Sequence, residues 1–414
     1  MAQESARTDR RVPIEDPDFY LRDPWPTFAW MRAEAPVYYY EPLDTFVLTR
    51  HKDIRDAAAR AETFVSSRGI FLNDVKYQSQ ARDQTVTDSF FPKGGEQVGT
   101  TDPPRQQELR RVLLPAFSVS AIERMRKPLT EHLHELLGRI RPGDVVDWVP
   151  AASSIPIRVS TVFLGVPDAD HERVAHWSDE LEKLGGEISF EELQAAASDF
   201  QSLQEYIIQN IEAKKASGST GEDLLSVLLA AELDNDKLTQ ANVVMFAMTA
   251  LAAGSDTSRA LLAGLVHCLA QHPEQWTRLR EDRSLVQNAI EETLRWVTPA
   301  RAFLRTASQE AVVHGQPIKE GQHVYFMYMA ANRDGDAFRD ADRFDITRPD
   351  ASRHLAFGAG PHLCAGMRLI RFEARIVLNA LLDRYARIEL ASEAVPVRHV
   401  IRNSWTTMPV VFHP

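Results

Sequence analysis

The chain holds only two cysteines, Cys268 and Cys364, in 414 residues. That is too few for a disulfide-stapled scaffold. Basic residues are outnumbered as well: 47 Lys and Arg stand against 58 Asp and Glu, a net charge of -11. A nucleic-acid binder would carry the opposite balance. The N-terminal stretch MAQESARTDRRVPIEDPD has no apolar run of the kind a signal peptide or membrane anchor needs. A cytoplasmic chain with reduced thiols is expected, with residues 1–16 as a loose arm. One stretch, Val243 to Ala270, is apolar over a bilayer's width. Asp256 and Arg259 at its centre make burial in lipid costly, so it reads as a long core helix. No internal repeat, low-complexity tract or Pro/Ser/Gly linker divides the chain, and residues 17–414 are expected to form one domain.

What is present is enough apolar material, 44% of residues, for a large core. Residues 36–50 read as a hairpin, two β-prone runs around a polar turn. Residues 65–100 are rich in Gly, Ser, Asp and Gln and lack periodicity; a loop this long is usually functional. Asp102-Pro103-Pro104 opens a basic helix containing Arg110 and Arg111. From 120 to 295 successive helices are separated by breakers such as Arg141-Pro142-Gly143. Short strands are expected over 311–327, a helix over Arg368 to Tyr385, and a closing hairpin over 395–412. The expected fold is mainly α with a minor β part.

The most informative stretch is Phe357-Gly358-Ala359-Gly360-Pro361-His362-Leu363-Cys364-Ala365-Gly366. Gly358 and Gly360 permit backbone conformations closed to other residues. Cys364 stands just before a helix, where N–H groups and the helix dipole stabilise a thiolate. Cys268, with no such surroundings, reads as an inert core residue. No second Cys or His stands at zinc-ligand spacing. The stretch resembles the haem-binding signature of the cytochromes P-450, Phe-Gly-x-Gly-x-His-x-Cys-x-Gly, at all six fixed positions. Chance agreement in such a chain is roughly one in a million.

The resemblance runs from about residue 20 to the C-terminus, with its motifs in the family's order. It implies the cytochrome P-450 fold and haem b held by the Cys364 thiolate, with Phe357, Gly358 and Gly366 shaping the loop. It implies propionate contacts from Arg110, Arg305 and His362. Where the family often has His four residues before that first arginine, this chain has Gln106, which still donates a hydrogen bond. Ala253-Gly254-Ser255-Asp256-Thr257 looks like the family's Ala-Gly-x-Asp-Thr motif. Gly and Thr are poor choices inside a helix. By resemblance, Thr257 orients the bound oxygen and Asp256 relays protons. Ala250, Ala253 and Thr257 share one helix face. Glu292 and Arg295 form the Glu-x-x-Arg pair, and Arg343 is expected as the third member of that buried network.

The implied activity is dioxygen-dependent hydroxylation or other oxidation of a small, largely apolar molecule. Electrons would come from a separate ferredoxin or flavodoxin and its reductase, docked on Arg105, Arg110, Arg111, Arg368 and Arg371. Two other readings stay open: a peroxide-driven peroxygenase of the same fold, which usually lacks the acid–alcohol pair, and a non-catalytic haem-binding or sensor protein. The substrate pocket implied by resemblance draws on the 65–100 loop, Thr249, Ala250, Ala253, Val297 to Phe303 and Ile401 to Trp405. Arg301 and Arg402 interrupt it. Each needs a partner: a protein carboxylate, a propionate, or an acidic group on the substrate.

Overall fold

The computed structural model describes residues 10–76, 91–182, 189–218, 221–233 and 236–414. Its axis is the helix Gln240–Gln271. Thr239 caps its start, accepting the N–H of Asn242, one of the donors that a helix start leaves unpaired. No proline interrupts it, and its apolar residues run all round, which demands burial. Every residue from Asn242 to Met248 and from Ala260 to Val266 is buried. Among the helices that pack on it are Trp148–Leu164, Val286–Val297 and Met367–Arg384. Trp148 Nε1 donates to the Leu262 carbonyl at 3.2 Å. Gly264 lets Val297 in; a Cβ there would lie 2.6 Å from Val297 Cγ2. Among the described residues no helix is long and apolar enough to cross a membrane.

The expected hairpin forms as Val37–Tyr40 against Thr45–Leu48, with Val37 opposite Leu48. It edges a five-stranded sheet. Thr45–Leu48 pairs in parallel with His323–Phe326, which pairs with Phe303–Ala307, and Phe64–Val65 closes the far side. The closing segment forms the expected hairpin only in its first two strands, and its third strand joins another sheet. Val395–Pro396 pairs with Trp405–Thr407, while Pro409–His413 lies between Arg387–Leu390 and Val145–Asp147. The N-terminal arm is also shorter than expected. Val12 and Ile14 are buried, and Tyr20 donates to the Ile14 carbonyl at 2.8 Å, so apolar anchoring begins by residue 12.

Candidate functional site

The 357–366 loop is cinched from three directions. The Cys364 N–H donates to the Phe357 carbonyl at 3.0 Å, closing the loop on itself. Gly358 and Gly360 both take positive φ, 71° and 69°. At Gly360 the need is steric too, since a Cβ would lie 2.2 Å from the Ala58 carbonyl oxygen. Gln106, fully buried on the helix Arg105–Leu113, donates to the Pro361 carbonyl at 2.9 Å. The residue that replaces the family's usual histidine therefore still holds the loop. Arg371 lays its guanidinium 4.6 Å from the Phe357 ring centre. The helix Met367–Arg384 begins just after Cys364. Burial pushes the Cys364 thiol up. The N–H of Gly366, the charges of Arg110 and Arg371, and the N–H of Met367 pull the other way. A coordinated metal ion would decide the matter, because a ligating thiol is deprotonated outright.

Beside the loop, cations gather without matching anions. Arg305 is buried and bonds the Leu304 carbonyl at 2.6 Å. Among the described residues neither Arg305 nor Arg110 forms an ion pair. His362 feels both: burial, then Arg305, lowers its pKa to about 4, with Asp102 opposing and Arg110 adding to the fall. Asp102 is already engaged, accepting the N–H groups of Ser66 and Ser67 at 2.7 and 3.3 Å. Arginines held this way, one of them buried, mark an anion site. A thiolate donor flanked by two uncompensated arginines fits a metal macrocycle that carries carboxylates, so the residues present suit haem.

Midway along, the central helix changes character. Thr249, Ala250, Ala253, Gly254 and Thr257 form a less buried stripe within a mostly buried helix, and Ala253 is exposed. Side chains this small leave space beside the helix. Gly254 has only Ser160 Oγ near it, at 3.9 Å from where a Cβ would stand. The Thr257 hydroxyl donates to the Ala253 carbonyl at 2.9 Å, the back-bond open to a helical threonine. Gln97 Nε2 donates to Thr249 Oγ1 at 3.2 Å, bringing the end of the 65–100 loop onto the stripe; residues 77–90 of that loop lie outside the described residues. Asp256 is buried. Burial raises its pKa, opposed by the charges of Arg402 and Arg259.

The family model described as Cytochrome P450 matches residues 186–398. Cytochrome P450 107B1 of Saccharopolyspora erythraea is 33% identical over 92% of each chain. The chain belongs to the cytochrome P450 family. Linalool 8-monooxygenase of Pseudomonas putida is 28% identical, covering 98% of this chain and 99% of that one. The solved structure of CYP108D1 from Novosphingobium aromaticivorans superimposes with a TM-score of 0.85 at 27% identity, over 96% and 97% of the two chains. Like its family, this cytochrome P450 is an oxidoreductase that binds haem b through a cysteine thiolate.

The cytochrome's buried charge network differs from expectation at one member. Arg295 donates to both Glu292 carboxylate oxygens at 2.7 Å. The third side chain is Arg348, whose Nε lies 3.2 Å from Glu292 Oε2. Arg343 is exposed and offers only its carbonyl, which accepts from Arg295 and Arg348 at 3.0 and 2.9 Å. A second cluster went unread in the sequence: Glu291 takes Arg371 at 2.7 and 2.8 Å and His354 at 3.1 Å. Despite burial, these partners hold its pKa at about 2. Arg371 is thereby withdrawn from the expected docking face, and Arg105 is paired with Glu96 and Glu108. Arg111 and Arg368 remain exposed.

The two arginines of the expected pocket both find protein partners. Arg301 is buried, donating to the His399 carbonyl and to Asn403 Oδ1, the latter at 3.1 Å. Arg402 pairs with Asp256, Nη1 to Oδ1, at 3.6 Å. Val297 is buried against Gly264 and contributes to helix packing.

Below the central helix sits an unforeseen acid, Glu373, 2% exposed. It bonds Ser258, its Oε2 has no partner among the described residues, and burial raises its pKa to about 8. The folded value lies above the ordinary 4.5. The folded chain thus keeps a proton that the unfolded chain releases, and this contribution is full below about pH 4.5 and lost as pH rises to 8. Relative to Glu373→Gln, the natural chain is expected to lose stability between pH 5 and 8, by roughly 4 kcal/mol at most. Urea midpoints of the two proteins across that range measure it; parallel curves would remove the argument.

Proposed function

We propose that this cytochrome is a dioxygen-dependent monooxygenase that hydroxylates or otherwise oxidises a small, largely apolar organic molecule. It works in the cytoplasm with electrons from a separate ferredoxin or flavodoxin and its reductase. The observation that carries the reading is the Asp256–Thr257 pair, a buried acid next to a hydroxyl on the less buried stripe. Hydrogen peroxide brings its own two protons, whereas dioxygen needs two delivered from solvent, so an acid–hydroxyl pair that can relay them favours dioxygen. Bound haem supplies the activation of dioxygen and the transfer of one oxygen atom to carbon. The chain's own residues do the rest. Arg110, Arg305 and His362 hold the carboxylate edge of the cofactor. The small side chains of Ala250 and Ala253 leave room for substrate, and the apolar wall excludes water. Thr257 holds a hydroxyl toward the reacting oxygen, and Asp256 passes protons from solvent. The likeness to a linalool monooxygenase supports an apolar substrate class. Exposed Arg111 and Arg368 support docking of an acidic partner by charge steering.

Substrates are to be found by the low-to-high-spin shift that they induce in a compound library. With one in hand, Thr257→Ala should retain haem and substrate binding but divert reducing equivalents to peroxide. Asp256→Asn should slow product formation by roughly 100-fold, the lower end of what a positioned acid contributes. Unchanged coupling in Thr257→Ala removes Thr257 from the relay. Full turnover with peroxide alone, and none with a redox chain, would turn the reading to a peroxygenase.

A further inference from the structure

The turn from His399 to Asn403 is a rigid bracket. His399 Nδ1 accepts two backbone N–H groups, from Ile401 at 2.9 Å and Arg402 at 3.0 Å. Burial, with Arg402 and Arg301 nearby, holds this histidine neutral, its pKa lowered to about 3, so Nδ1 stays an acceptor. Arg301 ties the His399 carbonyl to Asn403 Oδ1. The Asn403 N–H donates to the Pro299 carbonyl at 2.9 Å, and its side chain donates to the Val297 carbonyl. Ala300 and Arg402 form an antiparallel bridge. Each of these bonds fixes the backbone on one side or other of Arg402.

What the bracket presents is a guanidinium aimed at the central helix, in an ion pair with Asp256. Asp256 faces three groups. Arg402 comes from the turn. Arg259 comes from its own helix. Behind Arg259 stands Asp179 of the helix His171–Glu182, 3.1 Å from it. Among the described residues, Arg402 is the cation that forms an ion pair with the acid from outside its helix. Burial raises the Asp256 pKa and Arg402 opposes that rise, so withdrawing the cation raises it further. A carboxylate pinned in this way cannot also swing toward solvent.

We propose that Arg402 is a positioning residue for proton delivery, tying the protonation and orientation of Asp256 to the position of the C-terminal turn. The proposal rests on the reading of Asp256 as the relay acid. Displacement of the turn loosens the pair, and the acid then takes up a proton and is free to move. Since 401–405 is also the segment expected to touch substrate, substrate occupancy and readiness of the acid are coupled through one side chain.

The test reads the carboxyl itself. Infrared difference spectra of the haem-loaded protein across pH show the protonated carboxyl band of Asp256, assigned by its loss in Asp256→Asn. Arg402→Gln and Arg402→Met should each raise the midpoint of that band by about one unit or more. Arg402→Lys, which keeps the charge, should hold it near the natural value. The methionine variant retains the packed stem of the arginine, so whichever neutral variant folds is decisive. An unmoved midpoint in the neutral variants overturns the proposal. In the Asp256→Asn background, Arg402→Gln should add no further peroxide leak, and an additive leak would count against it equally. The coupling of Asp256→Asn alone reports on the relay reading, separately from the midpoint.

Discussion

Cys364→Ser is expected to erase the long-wavelength Soret band of the reduced carbon monoxide complex and to abolish monooxygenase turnover, with the fold intact. The band and the chemistry depend on the same electron donation from sulfur to iron. The loop that presents the residue does not depend on sulfur. Its bonds are the Cys364 N–H to the Phe357 carbonyl and the Gln106 amide to the Pro361 carbonyl, both independent of the Cys364 side chain. Its bend comes from positive φ at Gly358 and Gly360. Serine has nearly the same shape and keeps all of this, so far-ultraviolet circular dichroism should be unchanged. The carbon monoxide difference spectrum is the measurement, and a serine variant that kept the band would remove Cys364 as ligand.

Glu292→Gln should cost about 3–5 kcal/mol, because it strands two buried guanidinium groups whose shared anion is gone. Glu292 and Arg295 both have fully buried side chains, and Arg348 is nearly so. Glu292 also accepts the Asp345 N–H at 2.9 Å. Domains commonly hold only 5–15 kcal/mol of stability, so such a loss brings the chain near unfolding. Arg348→Ala should be comparably damaging. Arg343→Ala should change stability by less than about 0.5 kcal/mol, as expected of an exposed side chain. Urea denaturation of the three variants decides the matter. If Arg343→Ala were as costly as Arg348→Ala, the assignment of the network would be wrong.

The contrast between Arg343 and Arg348 shows where sequence reasoning reaches and where it stops. Glu292 and Arg295 are legible together because three residues along a helix bring side chains side by side. Their partner lies in an irregular segment, 56 residues after Glu292, where no periodicity says which arginine turns inward. Backbone carbonyls settle it: those of Arg339, Asp340 and Arg343 receive Arg348, and carbonyls have no sequence signature. The cysteine loop was legible for the opposite reason. Its glycines are demanded by local φ, and local demands are written locally. Glu291, next to a residue that was read, escaped because His354 and Arg371 arrive from 63 and 80 residues away. Of the strands after residue 395, the first two pair as a hairpin as expected, while the last escaped because Pro409–His413 finds a neighbour at Val145–Asp147, more than 260 residues back.

The parallel pairing of Thr45–Leu48 with His323–Phe326 has a consequence for synthesis. A ribosome making this chain exposes the early hairpin long before its neighbour exists. The cysteine loop follows later still, and it seats against Ala58 and Gln106. Loop closure over such separations is slow. The cofactor loop is therefore among the last parts to be made, and until His323–Phe326 emerges the growing chain carries an unpaired strand edge, open to aggregation.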